Sequence, residues 1–143
     1  MAIVGDSGGI FALYDAGDVH HVASRSAIAE RKEKIIIPSA VLGEIDYLLR
    51  KWVGIRGSLR FLADIEAGAF EIESTTKEDL RRSREVLSKY ADLNLGLGDA
   101  VVVAVAERLK IDTVLTVDER DFRVIRSIHG RPFRLLPADR KKR

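Results

Sequence analysis

Four carboxylates stand out by where they fall in the chain: Asp6, Glu44, Asp99 and Asp118. Asp6 directly follows the short apolar run Ala-Ile-Val-Gly, and Asp118 directly follows Thr-Val-Leu-Thr-Val. Asp99 heads Ala-Val-Val-Val-Ala-Val-Ala, immediately after Gly96-Leu97-Gly98, and Glu44 lies early in the amphipathic segment that follows Ile35-Ile36-Ile37. Like charges brought together raise one another's pKa, and they stay ionised together only when a cation joins them. Carboxylate oxygens are hard ligands that suit Mg²⁺ or Mn²⁺. Such ions activate water and neutralise charge on a phosphodiester under attack, and a second ion, where there is one, sits ~3.5–4 Å from the first.

Taken singly, each acid has an ordinary reading. Asp6 could bond its own turn, Asp99 could sit at a helix N-terminus for the dipole alone, Asp118 could open a turn, and Glu44 could be a solvated helix residue. Two features weigh jointly against this: Asp6 abuts an apolar strand, and Asp99 heads a helix with no polar face before Glu107. Asp121, three residues beyond Asp118, is the substitute for the fourth position. Asp46 is two residues from Glu44 and points elsewhere on its helix. His20, His21 and His129 show no ligand spacing, and the chain has no cysteine, so thiolate chemistry is excluded.

The elements that must position these acids alternate. Residues 2–5, 35–37, 70–73, 113–117 and 133–136 read as strands. Helical stretches are expected at 10–14, 18–34, 39–51, 56–66, 77–90, from Asp99 onward, and after Phe122. Residues 91–98 read as a loop and 119–121 as a turn. The all-apolar helix after Asp99 belongs in the middle of the molecule, because a surface helix has a polar face. Strands alternating with helices predict a three-layer α/β/α domain with a central parallel sheet of four to five strands. Ligands of such sheets bind outside the carboxyl ends of the strands, where Asp6 and Asp118 fall.

At 143 residues and 46% hydrophobic composition the chain has the size of one domain with a substantial core. The expected domain is 1–138, followed by a basic tail at 139–143. The net charge of +2 resides in that tail, whose four bases and one acid leave the rest close to neutral. The tail could attract nucleic acid or simply aid solubility. No secretory signal is visible, and no run approaches the ~18 apolar residues of a membrane span, so a cytoplasmic protein is expected. Arg56, Arg60, Arg81, Arg82 and Arg84 could contact phosphates, although solvated helix faces explain most of them.

Four segments in order carry a resemblance: Ile3-Val4-Gly5-Asp6-Ser7, Leu42-Gly43-Glu44-Ile45-Asp46-Tyr47-Leu48, Leu95-Gly96-Leu97-Gly98-Asp99-Ala100, and Leu115-Thr116-Val117-Asp118-Glu119-Arg120-Asp121-Phe122. Together they resemble the PIN-domain ribonucleases, in particular VapC-like toxins of toxin–antitoxin pairs, over nearly the whole chain. The resemblance implies an acidic quartet at Asp6, Glu44, Asp99 and Asp118. Asp6, Asp99 and Asp118 would hold Mg²⁺ or Mn²⁺, Glu44 would complete the site or orient the water, and Ser7 and Thr116 would flank it. It implies cleavage of RNA by a metal-activated water, a homodimer, and a VapB-like antitoxin forming a heterotetramer or larger assembly. Gly8-Gly9 departs from the family pattern and is expected to loosen the first helix. Two alternatives remain open. One is a non-catalytic PIN-like module that binds RNA or protein. The other is an aspartate-dependent phosphotransfer protein, which the glycine at position 8 and the lack of an aspartate ending the third strand both disfavour.

Overall fold

The computed structural model describes residues 1–140. Five strands form one sheet: β1 (Ala2–Gly5), β2 (Lys34–Pro38), β3 (Glu71–Glu73), β4 (Thr113–Leu115) and β5 (Arg134–Leu136). Their order is β3-β2-β1-β4-β5, and every pairing is parallel. The helices are α1 (Ser7–Ala12), α2 (His21–Arg31), α3 (Leu42–Trp52), α4 (Ile55–Glu66), α5 (Lys77–Lys89), α6 (Leu97–Arg108) and α7 (Glu119–Val124). A 3-10 turn at Ser39–Val41 leads into α3. The layering is α/β/α, as expected.

This order makes a switch point. The chain leaves β1 toward β2 and β3 on one side, then returns to β4 and β5 on the other. A crevice opens between β1 and β4 at their carboxyl ends, where ligands of doubly wound sheets bind. Asp6 follows β1 there, and Thr116 to Asp118 follow β4.

α6 is buried along its apolar length, with Val101, Val102, Val103 and Val105 each fully covered. It lies between α5 and the strands β1 and β2, which is where a helix without a polar face has to go. Its far end is held by charge. The Arg108 guanidinium donates to Asp79 Oδ1 (2.9 Å) and Oδ2 (3.0 Å) and to Glu73 Oε2 (2.8 Å). Asp79 also closes the capping box of α5 with Thr76. Burial alone would raise the Asp79 carboxyl; Arg108 and Thr76 outweigh it and hold it below the usual range. Removing one partner of a buried pair strands the other, at roughly 3–5 kcal/mol. Asp79 is 2% exposed, but the Arg108 side chain is one-third exposed. Arg108→Leu is therefore expected to cost about 2–4 kcal/mol in urea unfolding, and adding Asp79→Leu should recover much of it.

Several local expectations change. Helix α2 begins only at His21, because Asp15 and Asp18 cap the turns before it. The turn expected at 119–121 is the start of α7. Strand β4 ends at Leu115, two residues early, which frees Thr116 to turn toward β1. Gly8-Gly9 does not loosen α1. A Cβ at Gly9 would sit 2.2 Å from the Leu115 carbonyl oxygen, and one at Gly8 3.0 Å from Val117 Cγ2. The glycines let α1 lie directly on the end of β4. Asp139, at the start of the expected tail, is 5% exposed and pairs with Arg123 (2.6 and 2.7 Å). Residues 141–143 of that tail lie outside the described residues.

Candidate active site

Asp6 is locked at the switch point from both sides. Its N–H donates to the Leu115 carbonyl (2.9 Å), and its own carbonyl accepts from Ile10 N–H (2.9 Å) in α1. Its side chain is only 4% exposed. Oδ2 accepts from the Thr116 hydroxyl (2.8 Å), and that hydroxyl in turn accepts from Asp118 N–H (3.0 Å). One threonine thus ties the loops after β1 and β4 together and orients a carboxylate. This is why Gly9 matters: Gly9→Ala would push α1 off β4 and part that tie. We expect destabilisation toward the upper end of the roughly 1–3 kcal/mol typical of overpacking, read as a lowered thermal midpoint.

Asp99 enters from the other layer. It occupies the first turn of α6, where its Oδ2 accepts Gly96 N–H (3.0 Å). Glu44 reaches the same place from the first turn of α3. A Cβ at Gly98 would lie 3.7 Å from Glu44 Oε2, an ordinary van der Waals contact, so the turn just before Asp99 runs beside that carboxylate. Glu44 Oε1 accepts a short hydrogen bond from the Ser7 hydroxyl. Asp118 precedes α7, and Asp121 lies in its first turn.

The electrostatics show these acids sensing one another. Burial raises the Asp6 carboxyl from an ordinary 3.8 to about 7, with Asp99 and Glu44 adding to the rise and Thr116 and the Ser7 backbone opposing it. Asp99 is raised by burial and by Asp118, Glu44 and Asp121, against the opposing Gly96 hydrogen bond. Asp118 is raised by burial and by Asp121. All four acids named from the sequence, and the reserve Asp121, belong to one interacting group.

Would this group fit a divalent ion? The donors are all hard oxygens, and burial and mutual repulsion disfavour their ionised forms, most plainly at Asp6, so a cation among them would be stabilising. Among the described residues no three of these carboxylates already close on a common point. That spacing still suits Mg²⁺, which keeps several of its waters and takes one or two carboxylates directly. The residues therefore fit the ion.

The arginines singled out from the sequence are largely engaged elsewhere. Arg60 pairs with Asp64, Arg81 with Glu78 and Glu85, and Arg82 with Glu107. Neither the close packing of Gly9 on β4 nor the tie between Asp18 and His20 is marked in the sequence. Their only signals, a glycine pair after a strand and an aspartate two residues before a histidine, are common in ordinary turns. Among the described residues no helix is long and apolar enough to cross a membrane.

Residues 3–127 match the model of the PIN domain. The chain is 30% identical over 132 residues to Ribonuclease VapC26 of Mycobacterium tuberculosis, covering 92% of this chain and 98% of that protein. Among solved structures it resembles M. tuberculosis VapC20, described as a Sarcin-Ricin loop cleaving toxin, with a TM-score of 0.76 at 23% identity over 82% of this chain and 91% of that one. It also resembles VapBC2 of Rickettsia felis, solved bound to a DNA fragment of its promoter, with a TM-score of 0.66 at 17% identity over 94% and 97% of the two chains. With the family model spanning most of its length and its acids gathered at the switch point, the chain belongs to the PIN-domain family, among the VapC-like ribonucleases.

Proposed function

We propose that this protein is a Mg²⁺- or Mn²⁺-dependent endoribonuclease that serves as the toxin of a toxin–antitoxin pair in the cytoplasm. The observation that carries the reading is the convergence of four acids from four separate elements on one crevice, with Asp6 pushed up to about 7 by burial and by its neighbours. Asp6, Asp99 and Asp118 would hold the ion, directly or through its retained waters, and Asp121 lies close enough to bias them. When bound, the ion would supply a water acidic enough to act as nucleophile and positive charge beside the phosphodiester. Glu44, steadied by Ser7, would orient the attacking water and accept its proton. Thr116 holds the Asp6 carboxylate in place through its 2.8 Å bond.

A homodimer and a VapB-like antitoxin are part of the same proposal. Trp52, Tyr47, Leu59 and Leu62 on α3 and α4 are exposed, as apolar residues at protein interfaces are before a partner covers them. The test is cleavage of total RNA with Mg²⁺, with Mn²⁺ and with EDTA. Cleavage that needs the metal supports the reading. RNA binding without cleavage under either metal would favour the non-catalytic module instead.

A further inference from the structure

A second cleft lies beside the acids, over the carboxyl ends of β4 and β5, with a volume of about 240 Å³. Thr116 belongs to both places: it lines this cleft, and its hydroxyl holds Asp6. The walls are apolar, from Ala23, Val117, Pro137 and Ala138. Two polar side chains join them. His20 is fixed by Asp18, whose Oδ1 accepts the His20 backbone N–H (2.8 Å) and lies 3.2 Å from its Nδ1. Glu119 is held by Arg123 through Oε1 (2.7 and 3.2 Å), and its Oε2 has no protein hydrogen bond among the described residues.

We propose that this cleft is a nucleobase subsite, which takes one unpaired base of the RNA strand adjacent to the scissile phosphate and prefers guanine. The proposal rests on the ribonuclease reading above. Its volume is below the roughly 300–1,000 Å³ of sites for drug-sized ligands, which leaves room for one planar ring and none for a base pair. Unpaired RNA bases are recognised by stacking on aromatic faces, imidazole among them, with hydrogen bonds to their edges. His20 offers such a face, with its ring held in place by Asp18. The carboxylate of Glu119 repels a phosphate and accepts from a neutral donor. Guanine presents two adjacent donors, N1–H and the N2 amine. Uracil presents its N3–H between two carbonyl oxygens, which face a carboxylate unfavourably.

The test uses short single-stranded RNAs that differ only at the nucleotide next to the cleavage point. Wild type is expected to cut the guanine form faster than the uracil form, with kcat/KM roughly 5- to 100-fold higher, the range of discrimination that hydrogen bonds to one base edge supply. His20→Ala should lower kcat/KM for both forms by roughly 5- to 100-fold, and His20→Phe, which keeps a ring, should restore it. Glu119→Gln, which can also donate, should narrow the guanine–uracil gap. A direct binding measurement places the fluorescent base 2-aminopurine at that nucleotide and mixes the RNA with Asp99→Asn protein. Its emission should be quenched, and adding His20→Ala should abolish the quenching. Unchanged kcat/KM and unchanged quenching in a His20→Ala protein, or an unchanged base preference in Glu119→Gln, would overturn the subsite while leaving the ribonuclease intact. A wild type that cuts no RNA overturns the ribonuclease reading and the subsite with it.

Discussion

Asp99→Asn is expected to remove RNA cleavage by more than about a hundredfold, beyond the 10- to 100-fold that losing a mere orienting partner of a metal ligand costs, while leaving the fold in place. Asparagine keeps an oxygen for the Gly96 N–H, so the first turn of α6 retains its partner. What it loses is the charge, which is the part an ion needs. Asp99 is also the acid most widely coupled to the rest: it raises Asp6, and Asp118, Glu44 and Asp121 raise it. Removing its charge should lower the Asp6 carboxyl toward the ordinary range and weaken Mg²⁺ binding together. Single-turnover cleavage alongside calorimetric titration with Mg²⁺ would separate the two losses. Full cleavage by Asp99→Asn would remove the metal site from the proposed mechanism.

The second large effect is on stability and runs with pH. The Asp6 carboxyl sits near 7 in the fold and near 3.8 when free. A folded value raised in this way gives stability that is whole below about pH 3.8 and is lost as the pH climbs through 7. The metal-free protein should therefore carry a penalty at pH 8 that it does not carry at pH 4. Asp6→Asn cannot ionise and escapes the penalty. At pH 8 without metal it should be more stable than wild type by on the order of 1–3 kcal/mol, and the gap should close toward pH 4. Mg²⁺ reverses the ranking, because it binds the ionised form and releases a proton. Its affinity for wild type should rise between pH 5 and 7 and level off above. Thermal melts of both proteins across pH, with and without Mg²⁺, check all of these. A metal-free wild type that outlasts Asp6→Asn at pH 8 would contradict the assignment of a buried, mutually repelling Asp6.

Much of this site was legible in the chain because its members sit at element boundaries. An apolar run that stops at Asp6, and a helix without a polar face that starts beside Asp99, are local patterns with one structural solution each. Glu44 had no such pattern. It lies on an ordinary amphipathic helix, and its place depends on how the 3-10 turn at Ser39–Val41 aims α3, so only the family motif could mark it. The arginines were hard to read for the same reason. Whether Arg82 meets Glu107 across two helices, or meets water, is settled by packing. The short stretch after Asp118 misled because Glu119 and Asp121 suit a turn and a first helical turn equally well, and the burial of Phe122 decided for the helix.

A map of tolerated substitutions would mark Gly9 as if it belonged to the catalytic machinery. It holds no ion and touches no substrate in the proposed mechanism, yet any side chain there runs into the Leu115 carbonyl. In a survey of every substitution scored by loss of toxicity, position 9 should stand as intolerant as the acids themselves. Scoring the same variants for abundance as well would tell them apart, because a disarmed acid leaves the protein in the cell and a displaced α1 does not.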